Sequence, residues 1–232
     1  MILESYIDSN LKYNMTLIEN YTNNLNEEFD YKSKINKIKE AIKNAISIIV
    51  EKIKDLIKWF KYKLKKSDKK EKLSGIIIDY EYTTDALKNI DAILHVDRLN
   101  GKIYSKIITM INNKAPEDEI EDYVSIYKDD IDEVISNNLV IVKGDEQVQI
   151  DVGEKSDFYI QLKERYKKLD NVIKHLNSLN ENIKNLNSID QNIDKYQIEL
   201  INYTLKLNSA IVDIFSRIKN TFEKIENNNT QN

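Results

Sequence analysis

A mainly α-helical, elongated bundle or coiled coil carrying one small β-hairpin is the fold that the sequence predicts, on three observations. Four glycines and one proline in 232 residues are too few for a chain of short strands and turns. Two long stretches, 35–64 and 158–222, place apolar residues at steps of three and four. Between them, 139–152 changes period: two β-branched runs flank a glycine. The chain divides accordingly into an N-terminal helical region (1–72), a mixed segment with the hairpin (73–157) and a long helix or helical hairpin (158–232).

Residues 2–29 space Ile2, Tyr6, Leu11, Met15, Ile18, Leu25 and Phe29 as one helix, with a polar break near Asp30 to Lys34. The next helix carries Ile35, Ile38, Ile42, Ile46, Ile49, Ile53, Leu56, Phe60 and Leu64 on one face, with lysines over much of the remainder. Lys65 to Lys70 read as an exposed linker. Residues 76–82 fit either a strand or the first turns of a helix. Thr83 or Thr84 then fits an N-cap for a helix through Ile90, Leu94 and Leu99. Asn100-Gly101 interrupts that pattern, and Ile103 to Ile111 resume it. Pro116, followed by Glu117, Asp118 and Glu119, marks the start of a further helix reaching Ile135.

Leu139 to Val142 and Val148 to Val152, separated by Lys143 to Gln147, give the expected hairpin, which must pack on helices to be stable. From Phe158 one apolar stripe runs through Leu162, Tyr166, Leu169, Ile173, Leu176 and Ile183 to Phe222. Residues 176–185 are echoed by 186–195, a ten-residue period that would overwind a left-handed supercoil. The stripe fits one helix, or two that fold back near Asn185 or Asn202.

Charge is segregated. Residues 32–72 hold 15 lysines against five acids, whereas the whole chain is net −4. Within the basic segment Trp59, Phe60 and Tyr62 lie among Lys54, Lys58, Lys61 and Lys63, which makes these seven the candidate interaction residues. Three readings fit them. The helix packs into a core with its lysines solvated or facing acidic neighbours. Alternatively it lies on an anionic membrane, as a basic helix with an aromatic near one end can. Or its lysines neutralise nucleic-acid phosphate without sequence specificity, since the segment has no arginine for bidentate base reading.

Catalytic patterns are sparse. The absence of cysteine excludes disulfides and thiolate chemistry. His95 and His175 have no metal-ligand spacing and read as packing or surface side chains. The carboxylates Asp129, Asp130, Asp132 and Glu133 read as a solvated helix face. No phosphate-binding loop occurs. The expectation is a chain that is not an enzyme, with no cofactor, no metal and no small-molecule substrate. Acids at Glu4 and Asp8 break any leader-like apolar run, so no signal peptide is expected, and no stretch is long and apolar enough to span a bilayer.

The tyrosine- and glutamate-rich residues 1–31, leading into IKEAIKNAISIIVEKIKDLIKWFKYKL, resemble the start of small helical virion proteins of large tailed bacteriophages. The likeness covers residues 1–66 and transfers no functional residue. It implies a head- or tail-associated structural protein located in the virion; without it the expected location is the cytoplasm. From the residues themselves, the expected function is assembly with other protein chains or with itself. Peripheral membrane binding and nucleic-acid contact are the alternatives.

Overall fold

The computed structural model describes residues 2–23, 31–66, 80–139, 152–183, 186 and 191–230, and every regular element among them is a helix. They are α1 (Ile2–Asn23), α2 (Tyr31–Lys66), α3 (Tyr80–Asn112), α4 (Glu117–Leu139), α5 (Val152–Lys167), α6 (Leu169–Asn182) and α7 (Gln191–Thr230).

The expected hairpin is corrected by its own ends. No strand occurs among the described residues; Leu139, where the first arm should begin, closes α4, and Val152, the last residue of the second arm, opens α5. Residues 140–151 lie outside the described residues. Ile131, Ile135 and Leu139 are spaced by four, so the first arm begins on the apolar period of α4. A short β-branched run has the same composition whether it ends a helix or starts a strand.

Other boundaries move for similar reasons. Tyr80 already belongs to α3, which puts Thr83 and Thr84 inside its first turns and not at a cap, while residues 76–79 lie outside the described residues. Gly101 does not interrupt the helix: α3 runs through it to Asn112. The long C-terminal stripe becomes three helices. At Lys168 the bonding tightens to an i→i+3 pattern, Lys168 N–H donating to the Arg165 carbonyl and Asn171 N–H to that of Lys168, both at 3.0 Å. The second break lies between Asn182 and Gln191, within the ten-residue repeat, and α7 continues straight through Asn202.

Helix α7 is the centre of the packing, touching α1, α2, α3 and α4, while α5 and α6 close against α2, and α5 also meets α3. Between Ile198 and Ile218 its buried positions cover most of the circumference: Ile198, Leu200, Ile201, Leu205, Leu207, Ile211, Val212, Ile214, Phe215 and Ile218 all lie in the core, while a stripe through Tyr203, Lys206, Ser209, Asp213 and Arg217 stays partly exposed. Helix α2 contributes Ile35, Ile38, Ile42, Ile49 and Ile53, each fully buried. At its C-terminal half Phe60 stacks on Tyr166 of α5, with centroids 5.9 Å apart, and meets Phe215 of α7 edge-on at 5.7 Å.

Polar groups cross this core in defined places. Tyr127 of α4 hydrogen-bonds Thr204 of α7, whose hydroxyl donates to the Leu200 carbonyl at 2.8 Å. Tyr31 of α2 donates to Asp194 of α7 at 2.6 Å. Burial pushes the Tyr104 hydroxyl up to about 12, against a hydrogen bond with Asn182 that acts the other way. Burial also raises Tyr127, which Thr204 only partly offsets.

The α3–α4 connection is a Schellman motif. Lys114 sits at φ 55°, its N–H bonding the Ile111 carbonyl and Ala115 N–H the Met110 carbonyl, both at 3.0 Å. Pro116 follows and accepts from Ile120 N–H at 3.2 Å, and Glu117, Asp118 and Glu119 complement the dipole at the start of α4.

Two outcomes follow from this geometry. Lys114→Gly removes the cost of a side chain in the left-handed region and should raise stability by about 1 kcal/mol in chemical denaturation. Because their folded-state values are raised, the tyrosines keep protons that the unfolded chain loses between about pH 10 and 12. Their contribution is intact below that window and falls as pH rises through it. Tyr104→Phe should therefore cost about 1 kcal/mol at neutral pH yet give a shallower alkaline decline in thermal melts followed by circular dichroism.

Candidate functional site

The surface is divided by charge because each amphipathic helix keeps its apolar side for the core. On α2 the positions left over are lysines: Lys32, Lys37, Lys43, Lys54, Lys58 and Lys61 are exposed, with Glu40, Glu51 and Asp55 among them. Lys54, Lys58 and Lys61 follow each other at steps of four and three and so form one ridge.

The structure separates the seven predicted interaction residues into two groups. Lys54, Lys58, Lys61 and Tyr62 are exposed, Tyr62 at 56 %. Phe60 is fully buried at the α2–α5–α7 junction and is not on the surface. Trp59 is half-buried, edge-on to Phe60 at 4.9 Å, and half-buried Lys63 carries its ammonium 5.7 Å from the indole centroid. The aromatic pair therefore anchors α2 from within.

Helix α4 has the opposite sign. All nine of its carboxylates, from Glu117 to Glu133, are exposed. Its one lysine, Lys128, turns inward, 3.4 Å from Glu199 of α7 and 5.4 Å from the Tyr203 ring centroid. Ile126 stands 53 % exposed, with Asp122 one turn before it and Asp129 and Asp130 one turn after. Tyr127 and Ile131 point into the core, and this fixes which side of α4 faces out. Tyr196, raised to about 12 by burial and by the adjacent Glu117, lies at the start of this ridge.

Two grooves open between the described helices. The larger, about 460 Å³, runs between α1, α2 and α7, with Lys12, Lys52, Glu19 and Asp213 along it. Lys206 reaches Glu19 at 3.8 Å, so charges here are matched across the groove. The smaller, about 250 Å³, lies between α3 and the start of α6. His175 enters it from α6, its Nδ1 3.4 Å from Asp97 Oδ1 of α3. The two histidines do not meet: His95 is exposed on the outer side of α3, where Arg98 Nη2 approaches its Nδ1 at 3.3 Å.

Sequence reading had no route to the His175–Asp97 contact, since the two are far apart in the chain and only the α3–α6 packing joins them. No group of three or more metal-ligating side chains close enough to hold an ion occurs among the described residues. No helix among them is long and apolar enough to cross a membrane.

Gly101 faces the His175 ring, and a Cβ there would lie 3.6 Å from Nε2, an ordinary contact. Gly101→Ala should accordingly stabilise α3 by about 0.5–1 kcal/mol in denaturant titration. Compared with protein families, with characterised proteins and with solved structures, the chain matches none.

Proposed function

We propose that this is a non-catalytic structural protein that assembles with further copies of itself, the acidic ridge of α4 on one copy docking against the lysine ridge of α2 on the next. The observation that carries the reading is the pairing of two opposite, exposed helix faces on one chain: nine carboxylates around Ile126 on α4, and six lysines on α2. Complementary potentials of this kind steer association and set its register. One surface patch meeting a different one is a heterologous contact, which propagates into rings or open fibres. The likeness of residues 1–66 to helical virion proteins points the same way, toward a chain that works by packing against others.

Individual exposed ion pairs contribute only about 0–1 kcal/mol. The affinity therefore depends on several pairs acting together and on Ile126 as an apolar centre that loses water on docking. Membrane binding through α2 fits the fold less well. Its apolar face would have to leave the core, uncovering Ile35, Ile38, Ile42, Ile49, Ile53 and Phe60. Each of those side chains gains about 1.5–3 kcal/mol from burial.

A charge exchange tests the reading. Sedimentation velocity at low salt should show concentration-dependent association that fades as salt approaches about 0.5 M, where screening shortens to a few ångströms. A variant with Lys54, Lys58 and Lys61 changed to Glu, and another with Asp122, Asp129 and Asp130 changed to Lys, should each be monomeric. Mixing the two should restore association, because each then offers the other a complementary pair of faces. A wild-type monomer at every salt concentration, or association indifferent to both sets of changes, would falsify the reading.

A further inference from the structure

We propose that the seam between α2 and the α5–α6 pair is a docking surface for the phosphate backbone of double-stranded DNA, bound without regard to sequence. The inference goes beyond the assembly reading. It shares the α2 ridge with that reading, but adds a second lysine row on α5 and α6 that the α4–α2 contact does not use.

Its basis is a concentration of positive charge in a chain that is net −4. Residues 51–63 and 160–175 together carry ten lysine and arginine side chains against four acids, net +6. Packing brings the two segments side by side, since α2 meets both α5 and α6. Phe60 stacks on Tyr166, and the residues that follow this pair, Lys61 and Lys167, are both exposed. Arg165 and Lys168 turn toward Asp91 of α3, and His175 toward Asp97. Lys167 and Lys174, two helical turns apart, are therefore left on the flank of α5–α6 that is nearer α2. On α2, Lys52 turns into the groove with α1 and α7, which leaves Lys54 and Lys61 on the flank nearer α5.

None of Lys54, Lys58, Lys61, Lys167 and Lys174 ion-pairs with a carboxylate among the described residues, although Asp170 is exposed close to Lys167. Like charges at neighbouring positions repel, so two such rows cost stability until an anion lies over them. A single acidic helix covers one row. A duplex offers two phosphate strands, with grooves roughly 6 and 12 Å wide between them, and packed helices set their rows about 8–10 Å apart. Lysine supplies a mobile point charge that suits phosphate and carries no fork for reading base edges. Arg165, which has that fork, is committed to Asp91.

Fluorescence anisotropy of labelled duplexes of two unrelated sequences, titrated with the full chain, tests the proposal. At about 50 mM salt both should bind at micromolar concentration, and four or five lysine contacts should lose affinity on the order of 10²–10³-fold by about 200 mM. Lys167→Glu with Lys174→Glu, at exposed positions where folding is not at risk, should weaken binding about tenfold or more. The same variant should sediment as the wild type does in the absence of DNA, which separates this reading from the assembly one. Lys12→Glu with Lys102→Glu makes the same change of net charge at exposed positions on α1 and α3, and should alter affinity less than about threefold. Absence of binding at about 50 mM salt, equal weakening by both pairs of substitutions, or a preference above about tenfold for one sequence would each overturn the proposal. Tighter binding to phosphatidylserine vesicles than to either duplex would overturn it in favour of a lipid surface.

Discussion

The structure depends on α7 being buried over most of its circumference, with one polar stripe through Tyr203, Lys206, Asp213 and Arg217 left partly open. A helix satisfies its own backbone hydrogen bonds and can therefore pass through an apolar interior, provided that other helices cover its apolar faces. α1, α2, α3 and α4 provide that cover, and the positions of their own apolar stripes follow from it. The chain covers α7 from within, between Ile198 and Ile218. The large apolar side chains left exposed among the described residues are scattered, Tyr13, Tyr62, Leu99, Ile126 and Ile160 on five different helices.

A core of isoleucine and leucine on helices of similar pitch would tolerate sliding by one turn. Pairs such as Tyr127 with Thr204 and Tyr31 with Asp194 oppose this, because a shifted register leaves a buried polar group without its partner. Each pair ties a different outer helix to α7, one near its start and one a few turns later. Asn208 bonds only within α7, donating its side-chain amide to the Thr204 carbonyl at 2.7 Å, and so has no bearing on register. The polar residues thus fix which arrangement forms, while the apolar ones supply most of the stabilisation.

How much of this was legible varies by element for physical reasons. The α2 stripe was plain because one face is buried and the other is lysine, so the period of 3.6 survives in the composition. The start of α4 was legible from Pro116 and its three acids. The hairpin was misread because Leu139 and its neighbours have the composition of a strand, while their spacing continues that of α4. The break before Gln191 falls near Asn185, one of the two places where the polar residues allowed the stripe to fold back, although no glycine or proline marks it; the other, Asn202, lies inside α7. Phe60 read both as a member of the α2 apolar stripe and, from the lysines around it, as an interaction candidate; the structure keeps it in the stripe, because in the helix those lysines point elsewhere. The exposed side of α4 was foreseen as a solvated face, but its opposition to α2 required knowing how both pack. The cleft at Asp97 and His175 was out of reach, since neither residue has a motif and only tertiary packing unites them.

The central place of α7 bears on the order in which the protein is made. Six helices leave the ribosome before it does, and most of the apolar face of α2 has its lasting partners on segments translated much later. Until Gln191 and its successors emerge, those helices surround a trough with no filling. α1 covers one flank of α2 from the start, so the part of that isoleucine-rich surface that faces α7 is what stays open to water, and to aggregation, until the last helix emerges.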